Sequence, residues 1–345
     1  MTWCRPGWLA WPARLGWVLL TLLLGTNCTS QPAANLTQSA TAVPSVGAAA
    51  PVDASPASSP SAVPSPGLAT RVVRPVFLLV MENKEYEQVV GSPAAPYFNS
   101  LASENMLVDQ AYAITHPSLP NYLALLAGDT FGITSDCTDC FLDQPNLVDA
   151  LEAHGRSWKA YMEDLPGSCA LDAGTGGWRS ASAGGYALKH DPFLYFQDIR
   201  TNPARCNRVV PLTQLDGDLT NEHAPDFIWI TPNLQHDTHD ASVAEGDAWL
   251  AGFVPRLLAS PAWRTGGLLI ITWDEGTTNA GCCGLAAGGH IPTLLVRASG
   301  PHAAHVTEPT THYSILRTIE DVLRVDRLGQ SAAPSVFPLV DIHAL

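Results

Sequence analysis

The sequence predicts an α/β protein, a three-layer sandwich in which helices cover both faces of one largely parallel β-sheet. The first observation behind this prediction is that short apolar runs of strand length alternate along the chain with helix-like patterns. The second is that these short runs are unbroken, which is typical of parallel strands buried on both faces. A chain of 345 residues, of which 46% are hydrophobic, can bury a substantial core.

The strand-like runs share β-branched or aromatic residues, and three of them end in polar side chains. They are RPVFLLVMEN (Arg74–Asn83), DFIWITPN (Asp226–Asn233), GLLIITWDEG (Gly267–Gly276) and IPTLLVRAS (Ile291–Ser299). Helix-like patterns begin at Ala95, Pro145, Ser242 and Thr311. Because ligands of such sheets bind beyond the carboxyl ends of the strands, a site is expected at that edge.

The amino end reads as an export signal over residues 1–28. Arg5 and Arg14 come before the apolar run Leu15–Gly25, which is short for a membrane span. Cys28 could become a lipid-anchored amino end after cleavage, but plain cleavage and an uncleaved anchor stay open. The expected location is outside the cell or on its surface, with membrane contact only through this segment.

Residues 29–70 consist mainly of Ala, Pro, Ser, Thr, Val and Gly, with Asp53 as the only charge. Such a composition predicts a disordered linker, because it cannot bury enough apolar surface to offset its ordering entropy. Residues 71–345 are then expected to form one catalytic domain. The net charge of −14 and the absence of a Lys/Arg cluster in the sequence argue against a nucleic-acid partner.

Six cysteines fall in the predicted domain, and an even number in an exported protein indicates disulfides. They are Cys137, Cys140, Cys169, Cys206, Cys282 and Cys283. The CTDC segment is also compatible with half of a zinc site, although no second CxxC follows. Six cysteines allow about fifteen pairings, so the connectivity stays open.

Acidic and amide side chains follow two of the predicted strands. Asp274 and Glu275 precede a glycine-rich stretch, and Glu82 and Asn83 end the first strand. Each pair could be a solvated loop or a cap, as Asn is favoured in both settings. Together they offer oxygen ligands for a hard or borderline divalent cation.

Two histidines and two acids crowd the segment PNLQHDTHD: His236, Asp237, His239 and Asp240. This density predicts a functional role, which could be a second metal position, phosphate contacts or proton transfer to a leaving group.

Ser118 lies between two prolines, just before the helix-like segment NYLALLAG. It could be only the N-cap of that helix. Alternatively, free N–H groups at the helix start would stabilise a serine alkoxide and a bound phosphate.

These motifs carry a family resemblance. MENKEY, THPSLPNYLALLAG, WKAYMEDLPG, YALKHDPFLYF, PNLQHDTHD, GDAWL, IITWDEG and THYSILRTIED occur in this order from Met81 to Asp321. The sequence resembles the bacterial phosphoesterase family of secreted acid phosphatases and phospholipases C, within the alkaline-phosphatase-like superfamily. It is most similar to the small secreted acid phosphatases of the mycobacterial, phosphatidylinositol-3-phosphatase-like type.

The resemblance implies an alkaline-phosphatase-like fold, a serine nucleophile and one or two divalent metal ions. The implied metal ligands are Glu82, Asn83, Ser118, Asp274 and Glu275. The implied catalytic residues are Ser118, with His236 or His312 as the proton donor to the leaving alcohol, although His312 could also be only a neighbour of the Thr311 cap. The implied phosphate pocket is lined by His116, Asn121, His239 and Asp240. Glu275 stands where some relatives have Asp, which leaves the ion identity open.

The expected function is therefore the hydrolysis of phosphate monoesters, with a small phosphate ester or a phospholipid head group as substrate, through a phosphoserine intermediate. A phospholipase C-type diesterase is the alternative within enzymes. A catalytically inactive domain that binds a ligand at the cell surface is the alternative from another class.

Overall fold

The structure is a computed structural model that describes residues 75–170, 185–220, 224–299 and 303–341. The predicted export signal and linker lie outside the described residues. All described residues belong to one compact unit. Within the described ranges, none of the helices combines the length and apolarity needed to cross a membrane.

Nine strands of the described chain form one sheet. They are β1 (Val76–Met81), β2 (Met106–Tyr112), β3 (Trp158–Met162), β4 (Val209–Pro211), β5 (Phe227–Thr231), β6 (Leu268–Trp273), β7 (His290–Arg297), β8 (Ala304–Val306) and β9 (Thr310–Thr311). Their order is β4-β3-β5-β1-β6-β7-β2-β8, and β9 also pairs with β2. Only β7 runs antiparallel to its neighbours β6 and β2; the other pairs are parallel.

Ten α-helices accompany this sheet within the described ranges. They are α1 (Tyr86–Val89), α2 (Pro96–Glu104), α3 (Ser118–Ala127), α4 (Leu147–Ala153), α5 (Gln197–Arg200), α6 (Pro203–Cys206), α7 (Leu215–Asp218), α8 (Val243–Ala259), α9 (Pro261–Arg264) and α10 (His312–Leu323). Helix α8 packs on α2 and on α9, and α3 packs on α10. Every residue of β1, β5 and β6 is buried, so both faces of the sheet are covered.

The predicted three-layer α/β sandwich with a largely parallel sheet is confirmed. The four strand-like runs correspond to β1, β5, β6 and β7, and the helix-like patterns to α2, α4, α8 and α10. Strands β2 and β3 were not predicted, because Asp109 and Gln110 interrupt the apolar pattern of the first and Lys159 that of the second. Backbone pairing with neighbouring strands keeps these segments in the sheet despite their polar residues, so hydrophobic periodicity alone does not predict the two strands.

Disulfides are confirmed and use all six cysteines of the domain. The pairs are Cys137–Cys140, Cys169–Cys206 and Cys282–Cys283. The zinc alternative for CTDC is wrong, since both of its sulfurs are consumed in one bond.

Gly128 ends α3 in a conformation that other residues adopt at a cost. Its φ is +73°, and a Cβ atom there would lie 2.3 Å from the carbonyl oxygen of Leu328. We expect Gly128→Ala to lower the free energy of unfolding by about 2 kcal/mol, from the left-handed backbone and the clash together. Gly252→Ala, in the exposed interior of α8 with open space around it, should raise the same quantity by about 1 kcal/mol. Urea unfolding of both variants measures this; equal effects would contradict it.

Candidate active site

Three carboxylates meet at one edge of the sheet because three neighbouring parallel strands end there side by side. Glu82 follows β1, Asp274 follows β6, and Asp237 lies in the loop after β5. The backbone N–H of Glu82 donates to the carbonyl of Asp237 over 2.7 Å, and that of Asp274 donates to Met81 over 2.8 Å. All three side chains are fully buried.

Asn83 makes the bend that follows β1. Its φ is +57°, a left-handed conformation that Asn tolerates better than most residues. Its N–H donates to Asp274 Oδ1 over 3.1 Å. The bend therefore links the ends of β1 and β6.

Ser118 is the first residue of α3, and its side chain points into the carboxylates. Ser118 Oγ lies 3.2 Å from Glu82 Oε2 and 3.3 Å from Glu275 Oε1, and the residue is 1% exposed. One turn later, the Tyr122 hydroxyl donates to Glu82 Oε1 over 2.7 Å. Residues four apart share one helix face, so α3 delivers two hydroxyl groups to Glu82. The N-cap is Pro117 and Ser118 makes no capping bond, so the interpretation of Ser118 as only a cap is wrong.

The sequence predicts free N–H groups at the amino end of α3, but one of these groups is occupied. Leu119 N–H donates to Asp136 Oδ1 over 3.0 Å. Asp136 Oδ2 accepts from Lys189 Nζ over 3.1 Å. An internal carboxylate therefore occupies one N–H that we expected to face a phosphate.

Two imidazoles lie on the other side of Glu82. His190 Nε2 is 3.1 Å from Glu82 Oε1, and His190 Nδ1 is 3.3 Å from Asp237 Oδ2. His239 Nδ1 is 2.6 Å from Asp240 Oδ1, and its Nε2 is 3.1 Å from Lys189 Nζ. A carboxylate behind each imidazole is the usual arrangement of histidines that bind metals, because it fixes the ring and its tautomer.

Burial shifts the pKa values of the whole cluster. Burial, and then the charges of Asp274 and Asp237, raise the pKa of Glu82 well above its usual value. Burial, and then the Glu275 charge, raise the pKa of Asp274 to about 7. Burial also raises the pKa of Glu275 and lowers that of the His190 imidazole. The cluster thus concentrates acidic groups that cannot all ionise without positive charge nearby.

This donor set fits a divalent cation. Asp274 Oδ2 is buried without a hydrogen bond from any described residue. The predicted oxygen ligands Glu82, Ser118, Asp274 and Glu275 are brought together, and the backbone of Asn83 adjoins them. A second group consists of Glu82, His190 and His239, whose ligand atoms all lie within 4.8 Å of one another. Carboxylate oxygens with imidazole suit Mn²⁺, Zn²⁺ or Fe²⁺ better than an all-oxygen site would.

His116 is brought to the same place. Its Nδ1 is 2.5 Å from Glu275 Oε2, and its Nε2 is 2.8 Å from the Thr278 carbonyl oxygen. Since a carbonyl only accepts, Nε2 carries a hydrogen. Burial lowers the pKa of His116, but the bonds to Thr278 and Glu275 outweigh it and raise that pKa above its usual value. A protonated His116 would therefore bring positive charge to the edge of the cluster.

Asn121, which the resemblance assigns to the phosphate pocket, bonds to the backbone of the turn before α3. It is fully buried, its Oδ1 accepts from Thr115 N–H over 3.0 Å, and its Nδ2 donates to the Thr115 carbonyl over 2.8 Å. Its amide thus holds the turn that precedes α3. Asn121 positions Ser118 through the backbone.

The two predicted proton donors bond to groups other than the Ser118 hydroxyl. His236 Nδ1 is 2.8 Å from Glu163 Oε2, and its ring stacks on Trp249 at 5.8 Å. His312 is fully buried, and its Nε2 is 3.1 Å from the Trp273 carbonyl oxygen. Burial lowers the pKa of His312 to about 4, so His312 is neutral in mildly acidic solution. Burial therefore disfavours a charged His312 as the donor.

Sequence reasoning missed four residues of this cluster: Tyr122, Asp136, Lys189 and His190. Lys189 and His190 lie in YALKHDPFLYF, where no strand or helix pattern marks the segment. One available signal was the scarcity of lysine. The chain has three lysines, and two of them, Lys84 and Lys189, carry charges that act on the buried acids.

Comparisons with known proteins agree with this geometry. The phosphoesterase family matches residues 91–326. The chain is 34% identical over 291 residues to the phosphatidylinositol-3-phosphatase of Mycobacterium tuberculosis, which covers 81% of this chain and 87% of that protein. It is 31% identical over 261 residues to the phosphate-repressible acid phosphatase of Penicillium chrysogenum, covering 72% of this chain and 59% of that protein.

Among solved structures, the lipoteichoic acid synthase LtaP of Listeria monocytogenes aligns with a TM-score of 0.50 at 11% identity. The alignment covers 78% of this chain and 75% of the synthase. At this identity the likeness concerns the fold alone.

The buried acids predict how stability depends on pH when divalent ions are removed. The folded pKa of Asp274 is about 7, above the value of about 4 expected for an unfolded aspartate. Its contribution is therefore fully present below pH 4 and is lost as pH rises through 7. In chelator-treated protein, we expect the free energy of unfolding to fall over this range, and Asp274→Asn to flatten the decline. Asp216→Asn, an exposed acid, is the matched control; equal slopes in both variants would contradict the prediction.

Proposed function

The chain belongs to the phosphoesterase family, and from this premise we propose that it is a metal-dependent phosphomonoesterase of the acid phosphatase type. The observation that carries the proposal is the Ser118 hydroxyl, buried at a helix start between the carboxylates of Glu82 and Glu275. A buried hydroxyl flanked by acids is suited to lose its proton and act as a nucleophile.

In this proposal, Ser118 gives its proton to Glu82 or Glu275, whose carboxylate oxygens lie 3.2 Å and 3.3 Å from Ser118 Oγ. Ser118 Oγ attacks phosphorus in line, the bond from phosphorus to the alcohol oxygen breaks, and a phosphoserine forms. Water then attacks the phosphoserine, releases phosphate and restores the hydroxyl. Lys189 and protonated His116 carry positive charge that favours binding of the phosphoryl oxygens.

The proposed metal ligands are Glu82, Asn83, Ser118, Asp274 and Glu275, and His190 and His239 could hold a second ion with Glu82. A bound divalent ion would supply a Lewis acid that lowers the pKa of the serine hydroxyl and stabilises negative charge on phosphorus. The unpartnered Asp274 Oδ2 supports this proposal.

The proton for the leaving alcohol is assigned to His236 rather than His312. His236 is partly exposed, and the carboxylate of Glu163 lies against its Nδ1. His312 stays neutral well below neutral pH. His239 and Asp240 remain proposed phosphate-pocket residues beside Lys189.

The proposed substrates are small phosphate monoesters or phosphorylated lipid head groups. The relative from M. tuberculosis bears the name of a phosphatidylinositol phosphatase, and the fungal relative that of an acid phosphatase. Export by residues 1–28, with or without a lipid on Cys28, stays part of the proposal. An inactive binding domain is disfavoured, because the hydroxyl and the acids that catalysis needs lie together.

Ser118→Ala tests the central step. We expect kcat for an aryl phosphate to fall by at least about a thousandfold, because no other group replaces a lost nucleophile. Ser103→Ala removes an exposed serine hydroxyl at the end of α2 and should leave kcat unchanged. Steady-state kinetics of both variants measures this effect. Near-normal turnover by Ser118→Ala would contradict the proposal that Ser118 is the nucleophile.

A second assay separates monoesterase from diesterase. A monoester carries one more negative charge than a diester, so positive charge from Lys189, His116 and a bound divalent ion stabilises it more. We expect kcat/KM for an aryl phosphate monoester to exceed that for the matching aryl diester and for a phosphocholine diester by at least about tenfold. A preference for either diester would favour the phospholipase C alternative.

A further inference from the structure

Glu85 has a buried carboxylate that binds backbone groups of a single loop. The loop covers residues 276–289, begins directly after Glu275 and ends at His290, the first residue of β7. Glu85 Oε1 accepts from Thr277 N–H over 2.8 Å and from Thr278 N–H over 2.7 Å. Glu85 Oε2 accepts from His290 N–H over 3.0 Å, so one side chain holds both ends of the loop.

Two glycines of the loop leave space for this carboxylate. A Cβ atom at Gly276 would lie 2.3 Å from Glu85 Oε1, and one at Gly289 would lie 2.8 Å from it. Either distance is closer than nonbonded atoms approach. The glycine-rich sequence of the loop is therefore matched to the carboxylate that it encloses.

A short series of contacts leads from Glu85 to the Ser118 hydroxyl. Glu85 fixes Thr278, whose carbonyl lies 2.8 Å from His116 Nε2. His116 Nδ1 lies 2.5 Å from Glu275 Oε2, and the other oxygen of Glu275 lies 3.3 Å from Ser118 Oγ. The position of the Glu275 carboxylate therefore depends on the loop in two ways. The loop directly follows Glu275 in the chain, and it also holds His116, which contacts the carboxylate.

We propose that Glu85 is a positioning residue that fixes Glu275 as a metal ligand and His116 as its partner. The inference rests on the proposed function, because it concerns the metal site of that function. A carboxylate is suited to this task since it only accepts, and three N–H groups converge on it. A glutamine in its place would turn an NH₂ group toward at least one of these donors.

The test compares Glu85→Gln with Glu85→Asp, Gly276→Ala and Glu87→Gln. Glu87 belongs to α1, and its exposed carboxylate faces the imidazole of His290 rather than the backbone of the loop, which makes it a matched control for the backbone bonds of Glu85. Mn²⁺ binding to chelator-treated protein is measured by calorimetry, kcat and KM are measured with an aryl phosphate, and thermal unfolding reports the folded fraction.

We expect Glu85→Gln to weaken Mn²⁺ binding and to lower kcat, each by about 10- to 100-fold, as for other residues that support metal ligands. KM should stay within about twofold, because Glu85 does not touch the substrate. Gly276→Ala should reproduce the loss, Glu85→Asp should recover part of it, and Glu87→Gln should match the unmodified chain.

Wild-type Mn²⁺ affinity and kcat in folded Glu85→Gln would overturn the inference, even if its unfolding temperature fell. If Glu85→Gln does not fold, wild-type values in Gly276→Ala would overturn it instead. A wild-type chain that binds Mn²⁺ but turns over no phosphate ester would refute the proposed function, while the Mn²⁺ comparison would still decide the role of Glu85.

Discussion

The crowding of Glu82, Asp237 and Asp274 at one buried edge of the sheet is the constraint on which the site depends. Ionised carboxylates in such surroundings repel one another and lose hydration, which explains their raised pKa values. Around Glu82, the structure supplies hydroxyl groups from Ser118 and Tyr122. These donors offset only part of the negative charge, so the cluster is suited to a divalent cation.

The four residues after β1 hold this edge together. Glu82 enters the carboxylate cluster, and Asn83 bonds to Asp274. Lys84 Nζ donates to the Thr238 carbonyl over 2.6 Å, and Glu85 binds the loop that begins after Glu275. One short segment thus supports both loops that bring acids and histidines to the site. Nearly every residue of the segment MENKEY therefore makes a hydrogen bond to another part of the chain.

The site residues that could be predicted from the sequence are those that lie directly after a buried strand or at the start of a helix. Glu82 and Asp274 each come directly after a buried strand, and parallel strands β1 and β6 are neighbours, so their proximity could be predicted. Ser118 was identifiable from its place before a helix. By contrast, His190 reaches Glu82 through contacts between residues 108 positions apart, which no local pattern encodes. The segment PNLQHDTHD was harder to resolve, because a dense cluster of histidines and acids does not reveal which side chains turn toward Glu82: Asp237 does, whereas His236 contacts Glu163.

The proposed reaction passes through a covalent intermediate at Ser118, and trapping that intermediate tests the proposal most directly. The enzyme would be mixed with a saturating aryl phosphate, quenched in acid during turnover, digested and analysed by mass spectrometry. We expect one added phosphoryl group on the peptide that contains Ser118, localised to that serine and absent from Ser118→Ala. Steady turnover with an unmodified Ser118, or with the phosphoryl group on another residue, would contradict it.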